Sequence, residues 1–171
     1  MRRKDKRYAN RGMQLERMLD KTNEAYQKRG QGIIKKLPTP VHIYGVNKGI
    51  VRGALTKGEL VDYIGMSEGI AVAYDAKQTK GKSLPLSNIA VHQYRFLKDW
   101  HYNGGAAFLI IRFSDLMKNY VYPFERIQYW YEEQDERKSI PLADVEEYGE
   151  EIDKSTGILD YMKTIRKWSV R

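Results

Sequence analysis

The sequence predicts an α/β fold with a mixed central sheet flanked by helices. Apolar runs of strand length occupy residues 70–74 and 105–113. Glycine or polar residues bound these runs, which is typical of strands buried on both faces. Segments whose apolar residues recur at helical spacing lie before, between and after these runs. This alternation of helices and strands indicates a layered sandwich of one sheet and its helices.

The first half of the chain predicts one helix and several short strands. Residues 13–28 place most of their apolar side chains on one side of a helix, and Asn10 is a candidate N-cap. The segments GIIKK and VHIYGV predict strands, separated by LPTP, whose prolines favour extended backbone. Residues 45–60 combine four glycines with a series of cations and scattered apolar residues. This composition predicts a projecting hairpin rather than packed core.

The second half predicts two further strands, then alternating helices and strands. Residues 61–77 indicate two strands joined at a Ser-Glu-Gly turn, and Ser87 is a candidate cap for a helix that runs to about Trp100. Further elements are expected in chain order, namely strands at 105–113 and 119–124 and helices at 125–134 and 155–168. No repeat, low-complexity segment or linker interrupts this order, so residues 1–171 are predicted to form one domain.

The charge of the chain favours a polyanionic partner. Thirty Lys and Arg residues stand against twenty-two Asp and Glu residues, a net charge of +8, and residues 1–9 form a basic arm. Such an arm is equally compatible with a solubilising tail. The absence of cysteine excludes disulfides and Cys-ligated zinc, and no apolar stretch is long enough to span a bilayer. We therefore expect a cytoplasmic protein with no membrane partner.

Two charged residues, Asp75 and Lys77, follow the apolar run at 70–74. Because side chains alternate along a strand, both are expected on the same face. Asp62 stands thirteen residues before Asp75, across the predicted turn, so two carboxylates are expected at adjacent strand ends. Such a pair can share Mg²⁺, and a nearby lysine can stabilise the charge that forms in phosphodiester cleavage. Taken alone, the Asp-x-Lys triplet is more typical of a partly buried salt bridge, because such triplets are common.

Seven short segments occur in a characteristic order. They are NRGMQLE at 10–16, KKLPTPV at 35–41, VDYIG at 61–65, YDAKQTK at 74–80, LPLSNIAVHQ at 84–93, RKSI at 137–140 and GILDYM at 157–162. In this order they resemble RecU, a family of Holliday junction resolvases of Gram-positive bacteria and their phages, over nearly the whole chain from Asn10 onward. The resemblance implies a restriction-endonuclease-like nuclease fold, a homodimer, divalent-metal dependence and a stalk that projects from each subunit.

The resemblance also assigns roles to individual residues. Asp62 and Asp75 match the family's metal-binding carboxylates, and Lys77 matches its catalytic lysine. Glu16, which would otherwise be read as a solvated helix residue, matches a glutamate that completes the metal site. Gln93 matches a residue that orients the lysine or a water. The expected cofactor is one or two Mg²⁺ or Mn²⁺ ions per subunit.

The chain departs from the RecU pattern near the predicted site. Aspartate stands at position 75 where the family carries glutamate, and Leu60 and Val61 replace hydroxyl residues. Segment 45–60 falls where the family places its stalk. DNA contacts are expected from six cationic residues, namely Arg11, Lys48, Arg52, Lys57, Lys80 and Lys82.

The resemblance therefore predicts a metal-dependent endodeoxyribonuclease that resolves four-way DNA junctions by paired symmetric nicks during recombination and repair. A junction with two-fold symmetry needs two active sites in fixed relation, which favours a homodimer. Junction DNA and other recombination proteins are the expected partners, at the nucleoid in the bacterial cytoplasm. Two alternatives are a less selective nuclease for duplex or branched DNA and an inactive DNA-binding or annealing protein. The intact set of Asp62, Asp75 and Lys77 argues against the inactive protein.

Overall fold

The computed structural model describes residues 11–56, 60–133 and 137–169. Three predicted features lie outside these ranges: the basic arm at 1–9, the candidate cap Asn10 and the DNA contact Lys57. Of Arg11, only the backbone is described.

The described residues form five α-helices and ten strands. The α-helices are α1 (Arg11–Lys28), α2 (Val91–Tyr102), α3 (Phe124–Gln128), α4 (Leu142–Tyr148) and α5 (Met162–Ser169). The strands are β1 (Gly32–Lys36), β2 (Val41–Asn47), β3 (Ile50–Leu55), β4 (Tyr63–Ser67), β5 (Ile70–Thr79), β6 (Ser83–Pro85), β7 (Ala106–Phe113), β8 (Lys118–Pro123), β9 (Ser139–Pro141) and β10 (Glu150–Glu151). Within the described part of the chain, no helix is both long and apolar enough to cross a membrane.

A six-stranded mixed sheet forms the centre of the fold, in the order β1, β4, β5, β7, β8, β10. β5 and β7 run parallel, whereas the other neighbouring pairs are antiparallel. A parallel pair requires a crossover connection, which contains α2. β6 and β9 pair in a small separate sheet.

Helices cover both faces of the central sheet. Alternate residues of β7 point to opposite faces, so Phe108 and Ile110 pack in the core with α1 and α5. Leu109 and Ile111 pack in the core with α2, α3 and α4. The predicted α/β architecture, a mixed sheet flanked by helices, is confirmed.

The turn between β4 and β5 fixes the register of these strands. Glu68 and Gly69 both have positive φ, at 50° and 82°, as a two-residue type I′ turn requires. The resulting antiparallel register brings Asp62, one residue before β4, level with Asp75 in β5. The predicted strand pair around the Ser-Glu-Gly turn is therefore confirmed.

The exposed hairpin begins earlier than the sequence predicts. β2 and β3 form their own two-stranded sheet, in which Val41 pairs with Leu55 and Asn47 pairs with Ile50. VHIYGV is thus the first strand of the hairpin rather than a separate strand. The predicted boundary at residue 45 relied on glycine as a strand breaker, but a bulge near Gly45 keeps this glycine within the strand. Every residue of both strands is exposed.

The prediction that Ser87 caps the long helix is wrong. Ser87 lies in a short 3₁₀ helix, Leu86–Asn88, and α2 begins after Ala90. The backbone N–H of Ala90 donates to Gln93 Oε1 at 3.1 Å. A glutamine in the first turn of α2 therefore accepts a hydrogen bond from the backbone at the start of the helix.

The last predicted helix begins at Met162 rather than at residue 155. The backbone N–H groups of Leu159 and Met162 donate to side chains of α1, at 3.0 Å to Thr22 Oγ1 and 3.2 Å to Tyr26 Oη. Residues 158–161 thus pack against α1 before the helix begins. The helix predicted at 125–134 is also modified, because α3 continues as a π-helix over Tyr129–Glu133.

Candidate active site

A pair of aspartates forms the centre of the candidate site. The side chain of Asp75 in β5 is 0% exposed, and Asp62 lies beside it. The backbone N–H of Asp62 donates to Asp75 Oδ1 at 3.1 Å. In return, the backbone N–H of Ala76 donates to Asp62 Oδ2 at 3.2 Å. These reciprocal bonds hold the two carboxyl groups side by side.

The environment of Asp75 disfavours its charged form. Burial raises the pKa of Asp75 to about 7, and the positive charge of Lys77 only partly opposes this shift. The negative charge of Asp62 and a hydrogen bond between the two carboxyl groups also contribute to this raised pKa. A buried carboxyl group beside a second carboxyl group is stabilised by any cation that both can contact.

Lys77 and Gln93 complete a closed set of contacts around Asp75. Lys77 Nζ forms an ion pair with Asp75 Oδ2, and it donates to Gln93 Oε1 at 2.9 Å. Gln93 Nε2 donates to Asp75 Oδ1 at 3.0 Å. Because α2 packs on this face of the sheet, its first turn brings Gln93 to the strand residues. The structure therefore brings together four of the predicted residues, namely Asp62, Asp75, Lys77 and Gln93.

Glu16 on α1 lies apart from this set. Its Oε2 accepts a hydrogen bond from Lys36 Nζ at 2.7 Å, and both side chains remain partly exposed. Over residues 11–56, 60–133 and 137–169, no three His, Cys, Asp or Glu side chains are placed to hold a metal ion together. Glu16 as a third metal ligand therefore stays a prediction.

The aspartate pair fits a hard divalent cation. Mg²⁺ and Mn²⁺ prefer oxygen ligands, and Mg²⁺ usually binds one or two carboxylates while keeping several waters. Asp62 and Asp75 supply adjacent oxygens, and a cation between them would offset the burial and the carboxylate repulsion that raise the pKa of Asp75. An open cavity of about 500 Å³, whose lining includes Pro38, Pro40, His92 and Gln93, reaches Asp62.

The predicted DNA-contacting cations lie in two places. Lys48 occupies the tip of the β2–β3 hairpin, and Arg52 lies on β3. Lys80 and Lys82 follow the end of β5, the strand that carries Asp75 and Lys77. All four residues are exposed, as a phosphate contact requires.

Sequence reasoning missed Lys36, which lies next to the site. Lys36 ends β1, and the next residue, Leu37, donates its backbone N–H to the carbonyl of Asp62 at 2.8 Å. Lys36 thus lies between Glu16 and the start of β4. Its motif, KKLPTPV, was informative only as part of a family pattern, because its partner Glu16 lies 20 residues away on another element.

A solved structure shares this fold. The chain resembles Archaeoglobus fulgidus Hjc, a Holliday junction resolvase from an archaeal hyperthermophile, with a TM-score of 0.50 and 13% sequence identity. The match covers 80% of this chain and 94% of that chain. At this level of identity, the likeness shows the fold alone.

Sequence relatives match over most of the chain. It is 38% identical to the Holliday junction resolvase RecU of Geobacillus thermodenitrificans, over 94% of this chain and 85% of the relative. It is 34% identical to that of Staphylococcus carnosus, over 94% of this chain and 82% of the relative. The family model for recombination protein U matches residues 10–167. These matches confirm the resemblance, and the chain belongs to the RecU family.

Proposed function

We propose that this chain is a Holliday junction resolvase, a homodimeric endonuclease that uses a divalent metal to cut two opposed strands of a four-way DNA junction. The observation that carries the proposal is the contact set of Asp62, Asp75, Lys77 and Gln93 in a member of the RecU family. Phosphodiester hydrolysis requires the chemistry that this set offers. We place the protein at junction DNA in the bacterial cytoplasm, with other recombination proteins as further partners.

Each side chain has a distinct part in the proposed reaction. Asp62 and Asp75 would hold one or two Mg²⁺ or Mn²⁺ ions, with Glu16 as a further ligand. The bound ion would supply an activated water and positive charge at the phosphate. Hydrolysis adds water across a P–O bond, and negative charge grows on the phosphate oxygens. Lys77 Nζ stabilises this charge, and Gln93 keeps the ammonium in position through its 2.9 Å contact.

Cleavage of defined substrates tests this proposal. A mobile four-way junction and a matched duplex are incubated with the full chain in Mg²⁺, in Mn²⁺ or in chelator, and the products are mapped at nucleotide resolution. Paired nicks at symmetric positions of the junction, dependent on the metal, are expected. Comparable cutting of the duplex would favour the less selective nuclease. Binding without cutting in either metal would contradict the proposed catalysis.

We assign junction preference to the β2–β3 hairpin, as a stalk that enters the open centre of the junction. Its strands are exposed throughout, and Lys48 and Arg52 offer cations to the phosphates that converge there. Seven large apolar residues of the hairpin are exposed as well, namely Val41, Ile43, Tyr44, Val46, Ile50, Val51 and Leu55. The hairpin is therefore suited to a binding surface rather than to the core.

A shortened hairpin tests the stalk. Because Val41 pairs with Leu55, a short Gly-Ser turn in place of residues 42–54 can close the chain without moving the central sheet. We expect a folded protein that has lost most of its preference for junction over duplex in competition binding. A folded variant with undiminished preference would place shape recognition elsewhere on the protein.

A further inference from the structure

Lys36, the last residue of β1, contacts a carboxylate of α1. Its Nζ donates to Glu16 Oε2 at 2.7 Å. The backbone next to Lys36 is fixed to the site, because Leu37 N–H donates to the carbonyl of Asp62 at 2.8 Å. Lys36 therefore bridges the helix that carries Glu16 and the strand end that carries Asp62.

The negative charges of three carboxylates act on this ammonium group. Partial burial lowers the pKa of Lys36, but the hydrogen bond from Lys36 to Glu16 and the negative charges of Glu16, Asp20 and Asp62 outweigh it, so the pKa is raised. Asp20 lies one helical turn after Glu16 and also accepts a hydrogen bond from Tyr63 Oη at 3.0 Å. An isolated surface ion pair contributes little, but the ammonium of this one also interacts with the negative charge of Asp62.

We propose that Lys36 is a positioning residue that competes with the divalent cation for Glu16. This inference rests on the proposed function of the aspartate pair. With no cation bound, the Lys36 ammonium holds Glu16 away from Asp62 and Asp75 and balances the local negative charge. When the cation binds, Glu16 exchanges its lysine contact for the cation. Lys36 thus sets how tightly the protein holds metal in the absence of DNA.

The charge balance predicts the direction of the effect. Lys36→Met keeps the aliphatic stem and removes the competing charge. The loss of one positive charge next to a divalent ion should tighten metal binding by roughly tenfold at the dielectric of a protein surface. Lys36→Arg keeps the charge and should bind metal within about twofold of the parent.

Lys35 provides a matched control on the same strand. Its Nζ donates to Gln27 Oε1 at 2.6 Å, a neutral partner on the same helix. Lys35→Met therefore changes the net charge by the same amount without freeing a carboxylate. Because exposed charges are screened beyond about 8 Å at physiological salt, the Lys35→Met variant should change metal affinity by less than about twofold.

The experiment is titration of the DNA-free protein with Mn²⁺, followed by calorimetry and by the electron paramagnetic resonance signal of free Mn²⁺. The parent, Lys36→Met, Lys36→Arg and Lys35→Met are compared, with circular dichroism to confirm folding. A second pair, Glu16→Gln with and without Lys36→Met, closes a double-mutant cycle. We expect Lys36→Met to lower the Mn²⁺ dissociation constant by roughly tenfold in the parent background, and by at most about threefold when Glu16 is already neutral.

The outcomes separate this inference from the proposed function. Mn²⁺ binding by the parent with no change in Lys36→Met overturns the role of Lys36 alone. An equal change in Lys35→Met, or an unreduced effect in the Glu16→Gln background, also overturns it. If the parent fails to bind Mn²⁺, both the metal site and the role of Lys36 are overturned.

Discussion

Two buried aspartates on the same side of the sheet have opposite electrostatic surroundings. Asp75 lies in β5 with an ion pair to Lys77, and Asp144 lies in α4 with an ion pair to Arg126. Burial raises the pKa of Asp75 to about 7, with Asp62 adding to the shift. Burial also acts on Asp144, but hydrogen bonds from Arg126 and Tyr122 outweigh it and hold the pKa of Asp144 below its usual value.

The two aspartates differ in burial and in their neighbours, because the side chain of Asp75 is 0% exposed and that of Asp144 is 10% exposed. Two donors, the Tyr122 hydroxyl and the Arg126 guanidinium, satisfy Asp144, and Arg126 also stacks 3.8 Å from the ring centroid of Tyr148. Asp75 shares its surroundings with a second carboxyl group, which folding stability alone does not require. An aspartate whose hydrogen-bond and charge partners are complete stabilises the fold, whereas a buried pair of carboxyl groups can still bind a cation. The predictions below test this contrast.

The largest expected effect is the loss of cleavage in Asp75→Asn. The substitution removes a proposed metal ligand while leaving the exposed cations in place, so single-turnover junction cleavage in Mg²⁺ should fall by at least about 10³. Junction affinity in chelator should stay within a few fold, because phosphate contacts determine it. A cleavage rate near that of the parent would end the metal assignment of Asp75.

Removal of the lysine partner should have the next largest effect. Lys77→Ala removes the charge that we propose stabilises the phosphate, so the chemical step should slow by roughly 10² to 10³ with junction binding preserved. Lys98→Ala is the matched control, because Lys98 pairs with Glu132 at an exposed position on α2. If single-turnover cutting is unchanged in Lys77→Ala, Lys77 forms a structural salt bridge only.

Asp144→Asn should lower stability without slowing cleavage. The substitution leaves Arg126 without its carboxylate, and loss of one partner of a buried ion pair costs about 3 kcal/mol of stability. Denaturant unfolding in chelator measures this loss, and the cleavage rate per folded molecule should match that of the parent. Unchanged stability together with impaired cleavage would contradict the structural role of Asp144.

The sequence predicts those parts of the site that depend on local geometry. Strand alternation places Asp75 and Lys77 on one face, and a two-residue turn brings Asp62 level with Asp75. Gln93 followed only from the family pattern, because its contact depends on how α2 packs against the sheet.

Contacts between distant elements could not be predicted from periodicity. The pair Lys36–Glu16 joins the end of β1 to α1. The pair Arg126–Asp144 joins α3 to α4, and its two residues are 18 positions apart in the sequence. Neither pair follows a helical or strand spacing, so only the tertiary packing reveals them. The start of the exposed hairpin was misplaced for a similar reason, because the bulge near Gly45 depends on the pairing of β2 with β3.

The smallest expected effect is a pH-dependent difference in stability between the two aspartates. A carboxyl group whose pKa is raised on folding contributes stability that is complete below its unfolded pKa, about 3.9, and that is lost as the pH rises through its folded value. For Asp75 the folded value is about 7, so the loss occurs between about pH 4 and 7. Asp75→Asn does not titrate. In chelator, the melting temperature of Asp75→Asn minus that of the parent should therefore increase from pH 5.5 to pH 8. The increase should be about 2 to 4 °C for each 1 kcal/mol of stability that the parent loses.

Asp144 has a lowered pKa, so its contribution to stability is lost only as the pH falls below its unfolded pKa. The deficit of Asp144→Asn should consequently be equal at pH 5.5 and pH 8. Calorimetric melts of the three proteins measure both differences, and a constant gap between Asp75→Asn and the parent would show that Asp75 is not held in its protonated form by the fold.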